Sequence, residues 1–108
     1  MAYPGNFTKI AQVVVFASFA FCCASLVSAG DVFNGKAVYT DYCQGCHGRT
    51  GRGEMPGTPN FSRGGTMMKP DLALYRQIAN GKNAMPGFLG VLSEQEILDV
   101  VSYIRTLY

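Results

Sequence analysis

A chain of 108 residues has room for one small domain, and its formal charge of +2 comes with no nucleic-acid or nucleotide motif, which argues against a nucleic-acid partner. It has one histidine and four cysteines, two of the cysteines inside a hydrophobic N-terminal run, which makes a four-ligand structural zinc site a weak reading. There is no internal repeat.

Residues 1–29 read as a secretory signal peptide. Lys9 precedes a charge-free run from Ile10 to Gly30, whose apolar heart spans residues 13–17 and 20–21. Val27-Ser28-Ala29 then supplies the minus-three to minus-one positions of a cleavage site. Cleavage after Ala29 leaves residues 30–108 as the domain, delivered to the periplasm. The run could also span a bilayer if tilted, so the alternative is a domain anchored to the periplasmic face of the inner membrane. Phe21 before Cys22 does not suit a lipoprotein site. Removal of the leader takes Cys22 and Cys23 with it, and no structural disulfide is expected.

The first helical pattern runs from about Asp31 to Tyr42. Val32, Gly35, Val38, Tyr39 and Tyr42 recur at helical spacing, and Asp31 is placed to cap the start. A glycine inside a helix costs about 1 kcal/mol relative to alanine, so a close backbone approach at Gly35 is expected to offset it. Cys43-Gln44-Gly45-Cys46-His47 follows directly. Two thiols three residues apart with a histidine after the second are the covalent haem c attachment signature. Cys43 and Cys46 are placed to form thioethers with the haem vinyl groups, and His47 to be the proximal ligand of the iron. A redox dithiol would need a strand before the motif and a βαβ setting; here a helix precedes it.

Gly48 to Pro70 holds six glycines and three prolines in 23 residues. Loops that long are uncommon unless they do a job, and wrapping one edge of a flat cofactor is such a job. Phe61, Met67 and Met68 are its expected apolar anchors. The second helix is expected from about Asp71 to Asn80, between Pro70 and Gly81, with Leu72, Tyr75, Ile78 and Ala79 on one face. The third opens on Ser93-Glu94-Gln95-Glu96, a capping box, and carries Ile97, Val100, Val101, Ile104, Leu107 and Tyr108 as its stripe. Its early acids, Asp99 among them, and the late Arg105 suit the helix dipole.

A second axial ligand has four candidates among the methionines, Met55, Met67, Met68 and Met85, since the single histidine rules out a bis-histidine haem within one chain. Met55 and Met85 both precede prolines, which restrict the backbone around the sulfur. Residues 30–108 are few enough to be marginal without a cofactor, so the haem-free chain is expected to fold poorly.

In order, a helix, Cys-x-x-Cys-His, a proline-bearing loop, a second helix, a methionine and a last helix resemble the small bacterial class I c-type cytochromes. The resemblance implies an all-α cytochrome c fold of about three helices around one covalently attached haem c. It implies Met85 as the distal iron ligand, from Asn83-Ala84-Met85-Pro86-Gly87-Phe88, and a proline carbonyl that accepts from His47. Thr58-Pro59-Asn60-Phe61 resembles that stretch, so Pro59 is the first choice and Pro56 the second. It also implies that the first and last helices cross with Gly35 and Tyr39 against Val100 and Tyr103.

Histidine and methionine together fill both axial positions and raise the potential, which points to a periplasmic one-electron carrier between respiratory redox partners and not to an enzyme. The alternatives are a redox subunit tethered to the membrane or docked on a larger oxidoreductase, and a haem sensor or enzyme with a labile sixth ligand. Between Gln44 and Gly90 six basic residues (Arg49, Arg52, Arg63, Lys69, Arg76, Lys82) outnumber Glu54 and Asp71. A reductase, oxidase or dehydrogenase with an acidic face is the partner that this charge would steer.

Overall fold

The structure is a computed structural model that describes residues 28–108. All but the last two residues of the expected leader lie outside the described residues. Within them are four helices: α1 (Val32–Tyr42), a single turn α2 (Gln44–His47), α3 (Asp71–Asn80) and α4 (Glu94–Ile104). Two 3-10 turns, Gly64–Thr66 and Arg105–Leu107, complete the order. Among the described residues there is no strand, only isolated bridges Lys82–Met85 and Leu89–Leu92. The architecture is all-α, as expected; the addition is α2, which carries the Cys-x-x-Cys-His backbone.

α1 starts where its cap dictates. The Asp31 carboxylate accepts from the backbone N–H groups of Phe33 and Asn34, two of the donors that a helix start leaves unpaired. Gly35, Val38 and Tyr39 are buried, while Val32 and Tyr42 at the ends of the stripe are exposed. Gly35 is where α1 meets α4: a Cβ there would lie 2.0 Å from the Asp99 carbonyl oxygen and 3.0 Å from Tyr103 Cβ. The Tyr39 and Tyr103 rings pack beside this contact with centroids 5.2 Å apart. Tyr103 thus takes its expected place, and the backbone that Gly35 touches belongs to Asp99, one residue before Val100.

α4 opens on the expected capping box, with Ser93 and Glu96 bonded reciprocally. Ile97, Val100, Val101 and Ile104 are buried, but the stripe ends there: Leu107 is half-buried and Tyr108 exposed, because the chain tightens into the 3-10 turn. Asp99, expected among the early acids that suit the helix dipole, lies past the first turn of α4, whose acids are Glu94 and Glu96. It is 3 % exposed, and its carboxylate accepts from Asp31 N at 2.8 Å, Asn34 Nδ2 at 2.6 Å and Gln95 Nε2 at 2.8 Å. The start of α1 is thereby pinned to the middle of α4.

In α3 the buried residues are Leu74, Ile78 and Ala79. Leu72, expected on that face, is 58 % exposed. In the long loop Phe61 and Met67 are core residues, whereas Met68 is 78 % exposed and anchors nothing. The loop's end is held from α4's side by Arg105. Its guanidinium donates to the Met67 carbonyl, to the Lys69 carbonyl at 2.5 Å and to the Asp71 carboxylate at 2.6 Å. Arg105 therefore acts as a tertiary latch beyond any favourable interaction with the helix dipole.

Candidate functional site

The Cys-x-x-Cys-His stretch is held as a helical continuation of α1. Cys43 N–H donates to the Tyr39 carbonyl at 2.9 Å and His47 N–H to the Cys43 carbonyl at 3.0 Å. The Tyr39 hydroxyl donates to the Gly48 carbonyl at 2.7 Å, which fixes the far end of α2 to α1. Burial, then the neighbouring Cys43, Tyr103 and Glu54, push the Tyr39 phenol up to about 12, so it stays a donor.

His47 is 8 % exposed. Its ring stacks on Phe61 at a centroid distance of 5.0 Å and 17° between planes. Burial lowers its pKa below the usual imidazole value, which keeps the ring neutral, the form that binds a metal. Cys43 is half-buried, and burial followed by Cys46 pushes its thiol up to about 11; Cys46 is exposed. Cys43 is therefore held as a thiol and not as a thiolate.

A cleft of about 460 Å³ opens beside these residues, within the range of small-molecule and cofactor sites. Cys43, Cys46 and His47 line it, together with the Met55–Pro59 stretch and the Lys82–Pro86 stretch. Of the four methionine candidates, Met85 and Met55 line the cleft. Met67 is in the core, and Met68 is among the exposed apolar side chains. Met85 is half-buried and Met55 is 52 % exposed.

The Met85 loop is rigid by construction. Lys82 and Met85 exchange backbone hydrogen bonds of 3.0 Å each way, and Phe88 and Leu89 bond back to Ile78 and Ala79 of α3. Gly81 at φ +77 makes the turn possible, since a Cβ there would lie 2.6 Å from the Met85 carbonyl oxygen.

Pro59 and Pro56 also line the cleft. His47 Nδ1 is nevertheless buried with no hydrogen-bond partner, so neither proline carbonyl is bonded to it in this structure. The stack of Phe61 on His47 was not legible from the sequence, which marked Phe61 only as a loop anchor. Gln77 and Lys69 on the cleft wall were also missed as site residues. Gln77 adjoins Ile78 on the buried side of α3, but that side is set by Leu74, which the sequence pattern did not single out.

The donor set fits a haem. Among the described residues no group of three or more His, Cys, Asp or Glu could hold a bare metal ion. One imidazole and one thioether can hold iron only if the equatorial ligands arrive with it. A cleft with an imidazole, two thiols and a thioether on its walls suits such a macrocycle.

Comparison with known proteins decides the family. Residues 30–104 match the family described as cytochrome C oxidase, cbb3-type, subunit III. The chain belongs to the monohaem class I c-type cytochromes. It is similar to cytochrome c6 of Limnospira maxima, 38 % identical over 88 residues that cover 69 % of this chain and 91 % of that protein. Cytochrome c6 of Nostoc sp. is 34 % identical over 108 residues, covering 89 % of this chain and 90 % of that one. The solved structure of cytochrome c6 from the diatom Phaeodactylum tricornutum superposes with a TM-score of 0.60 at 30 % identity, over 71 % of this chain and 93 % of that chain. This cytochrome is thus an electron carrier and not an enzyme, and its family implies covalently bound haem c.

Proposed function

We propose that this cytochrome, as residues 30–108 released by cleavage after Ala29, carries single electrons between respiratory partners in the periplasm. Haem c supplies an iron that exchanges one electron between its ferrous and ferric forms. Cys43 and Cys46 bond it through thioethers. His47, kept neutral by burial, gives the proximal nitrogen, and Met85 the distal sulfur. The carbonyl of Pro59, which lines the same cleft, would accept from His47 Nδ1, the ring nitrogen without a hydrogen-bond partner in this structure, and such a bond fixes ring orientation. With His47 and Met85 both holding the iron, no seat for a substrate would remain, which suits electron transfer without a bound substrate.

The observation that carries this reading is the meeting of Cys43, Cys46, His47 and Met85 on the walls of one cleft. Visible spectra of the purified protein in both redox states test it. Met85→Ala should remove the weak long-wavelength ferric band of sulfur ligation, admit carbon monoxide to the reduced form, and lower the potential by more than the about 59 mV of a tenfold change. Met55→Ala should leave all three unchanged; the reverse pattern would move the ligand to Met55.

The partner is proposed to present an acidic face. Arg49, Arg52, Arg63, Arg76 and Lys82 are exposed, and Asp71, one of the two acids in this half, is paired with Arg105 at 2.6 Å. Electron-transfer rates with the partner should fall as salt rises; rates that ignore salt would remove the steering. A second reading, a subunit docked on a larger oxidoreductase, is favoured by the description of the matching family. No helix among the described residues is long and apolar enough to cross a membrane. Stable co-purification with an oxidoreductase would decide for it.

A further inference from the structure

We infer that Lys69 is the cationic partner of a haem propionate and sets part of the reduction potential; this rests on the haem reading of the cleft.

A haem brings two carboxylates with it, and a cleft that accepts them must offer donors. Among the residues lining the cleft there is no Asp or Glu, and two cations, Lys69 and Lys82. Lys82 is exposed, whereas Lys69 is half-buried. A cation taken partly out of water has more to gain from an anionic partner, because the local dielectric is lower.

Lys69 is also held in place. Its carbonyl accepts from Arg105 at 2.5 Å, and its ammonium donates to Gln77 Oε1, another cleft residue, at 3.2 Å. An ammonium has three donors, and Gln77 takes one. The carboxylate nearest in sequence, Asp71, is held by Arg105. The site thus pairs a fixed, half-buried ammonium with a neutral amide on a wall that has no acid, and a carboxylate is the ligand that completes it.

A positive charge beside the cofactor disfavours the oxidised iron, so removing it should lower the potential. Lys69→Gln should shift the balance at fixed potential toward the oxidised form by about tenfold, or about 59 mV for one electron. Lys69→Arg should recover most of the shift. Both variants should keep the wild-type visible spectrum, which separates this test from the haem reading: absence of a His/Met haem spectrum from the wild type would sink that reading itself. A normal spectrum with an unchanged potential in Lys69→Gln would overturn the Lys69 assignment alone. A purely structural role would lower the melting temperature of Lys69→Gln without moving the potential, and that result also overturns it. If Lys69→Gln yields no holoprotein, the reduced wild-type protein gives the answer by NMR. Nuclear Overhauser contacts between the Lys69 ε-methylene and a propionate methylene are expected, and their absence from both propionates rejects the pairing.

Discussion

Gly35→Ala is expected to destabilise the holoprotein by about 3 kcal/mol, a large share of the stability of a domain this size. Helix propensity alone predicts the opposite sign, since alanine should gain about 1 kcal/mol over glycine inside a helix. The contact reverses it. The new Cβ would lie 2.0 Å from the Asp99 carbonyl oxygen and 2.5 Å from its carbon, and both atoms are backbone of a neighbouring helix. No side-chain rotation relieves such a clash; α1 must move off α4. That movement would also part the Tyr39 and Tyr103 rings and loosen the Tyr39 hydroxyl that holds Gly48 beside His47. Denaturant melts of the holoprotein check this, with Gly65→Ala as the comparison, where the added Cβ meets nothing within 4 Å. Equal stability of Gly35→Ala and wild type would mean that the helices do not meet as described.

Gly35 stood out because it interrupts a helix that would be better without it, so a local cost pointed to a close approach. The partner atom did not stand out, because a backbone carbonyl belongs to any residue and leaves no mark in composition. The same limit explains α3. The expected stripe of Leu72, Tyr75, Ile78 and Ala79 and the buried set of Leu74, Ile78 and Ala79 share two residues, and both are acceptable apolar faces on a ten-residue helix. Only the shape of the core, which the pattern does not contain, chooses Leu74.

Arg105 and Asp99 were legible as charges placed to suit a dipole. Their true partners, the Met67 and Lys69 carbonyls in one case and Asn34 in the other, are more than thirty residues away in sequence. Motifs whose parts are neighbours in sequence were read correctly: the Asp31 cap and the Ser93–Glu96 box are local chemistry. Cys43, Cys46 and His47 are likewise neighbours in sequence, and the structure brings all three to the wall of one cleft. The approach of Met85 to them is long-range and came through resemblance to a family.

Asp99→Ala is expected to cost about 3 kcal/mol, the price of three donors left without an acceptor, less what water recovers. Two of the three, Asp31 N–H and the Asn34 amide, lie at the start of α1, and the third is the Gln95 amide one turn earlier in α4. The effect should carry a pH signature. Burial pushes the Asp99 carboxyl up, but hydrogen bonds from Asn34, Gln95 and the Asp31 backbone outweigh it and hold the group below the usual carboxylate value. A group whose pKa is depressed by folding stabilises the native state above its unfolded value, about 3.9, and that contribution is lost as pH falls through the lower folded value. The wild-type protein should therefore lose stability toward acid below about pH 4 in part through Asp99, and Asp99→Asn should flatten that limb while lowering the plateau at neutral pH. Thermal melts from neutral pH to acid, read beside Asp41→Asn on the exposed side of α1, distinguish this from a general charge effect. An acid limb as steep in Asp99→Asn as in the wild type would show that the carboxylate does not join the two helices. A lowered plateau with an unchanged haem spectrum would place the joint in the scaffold, away from the iron.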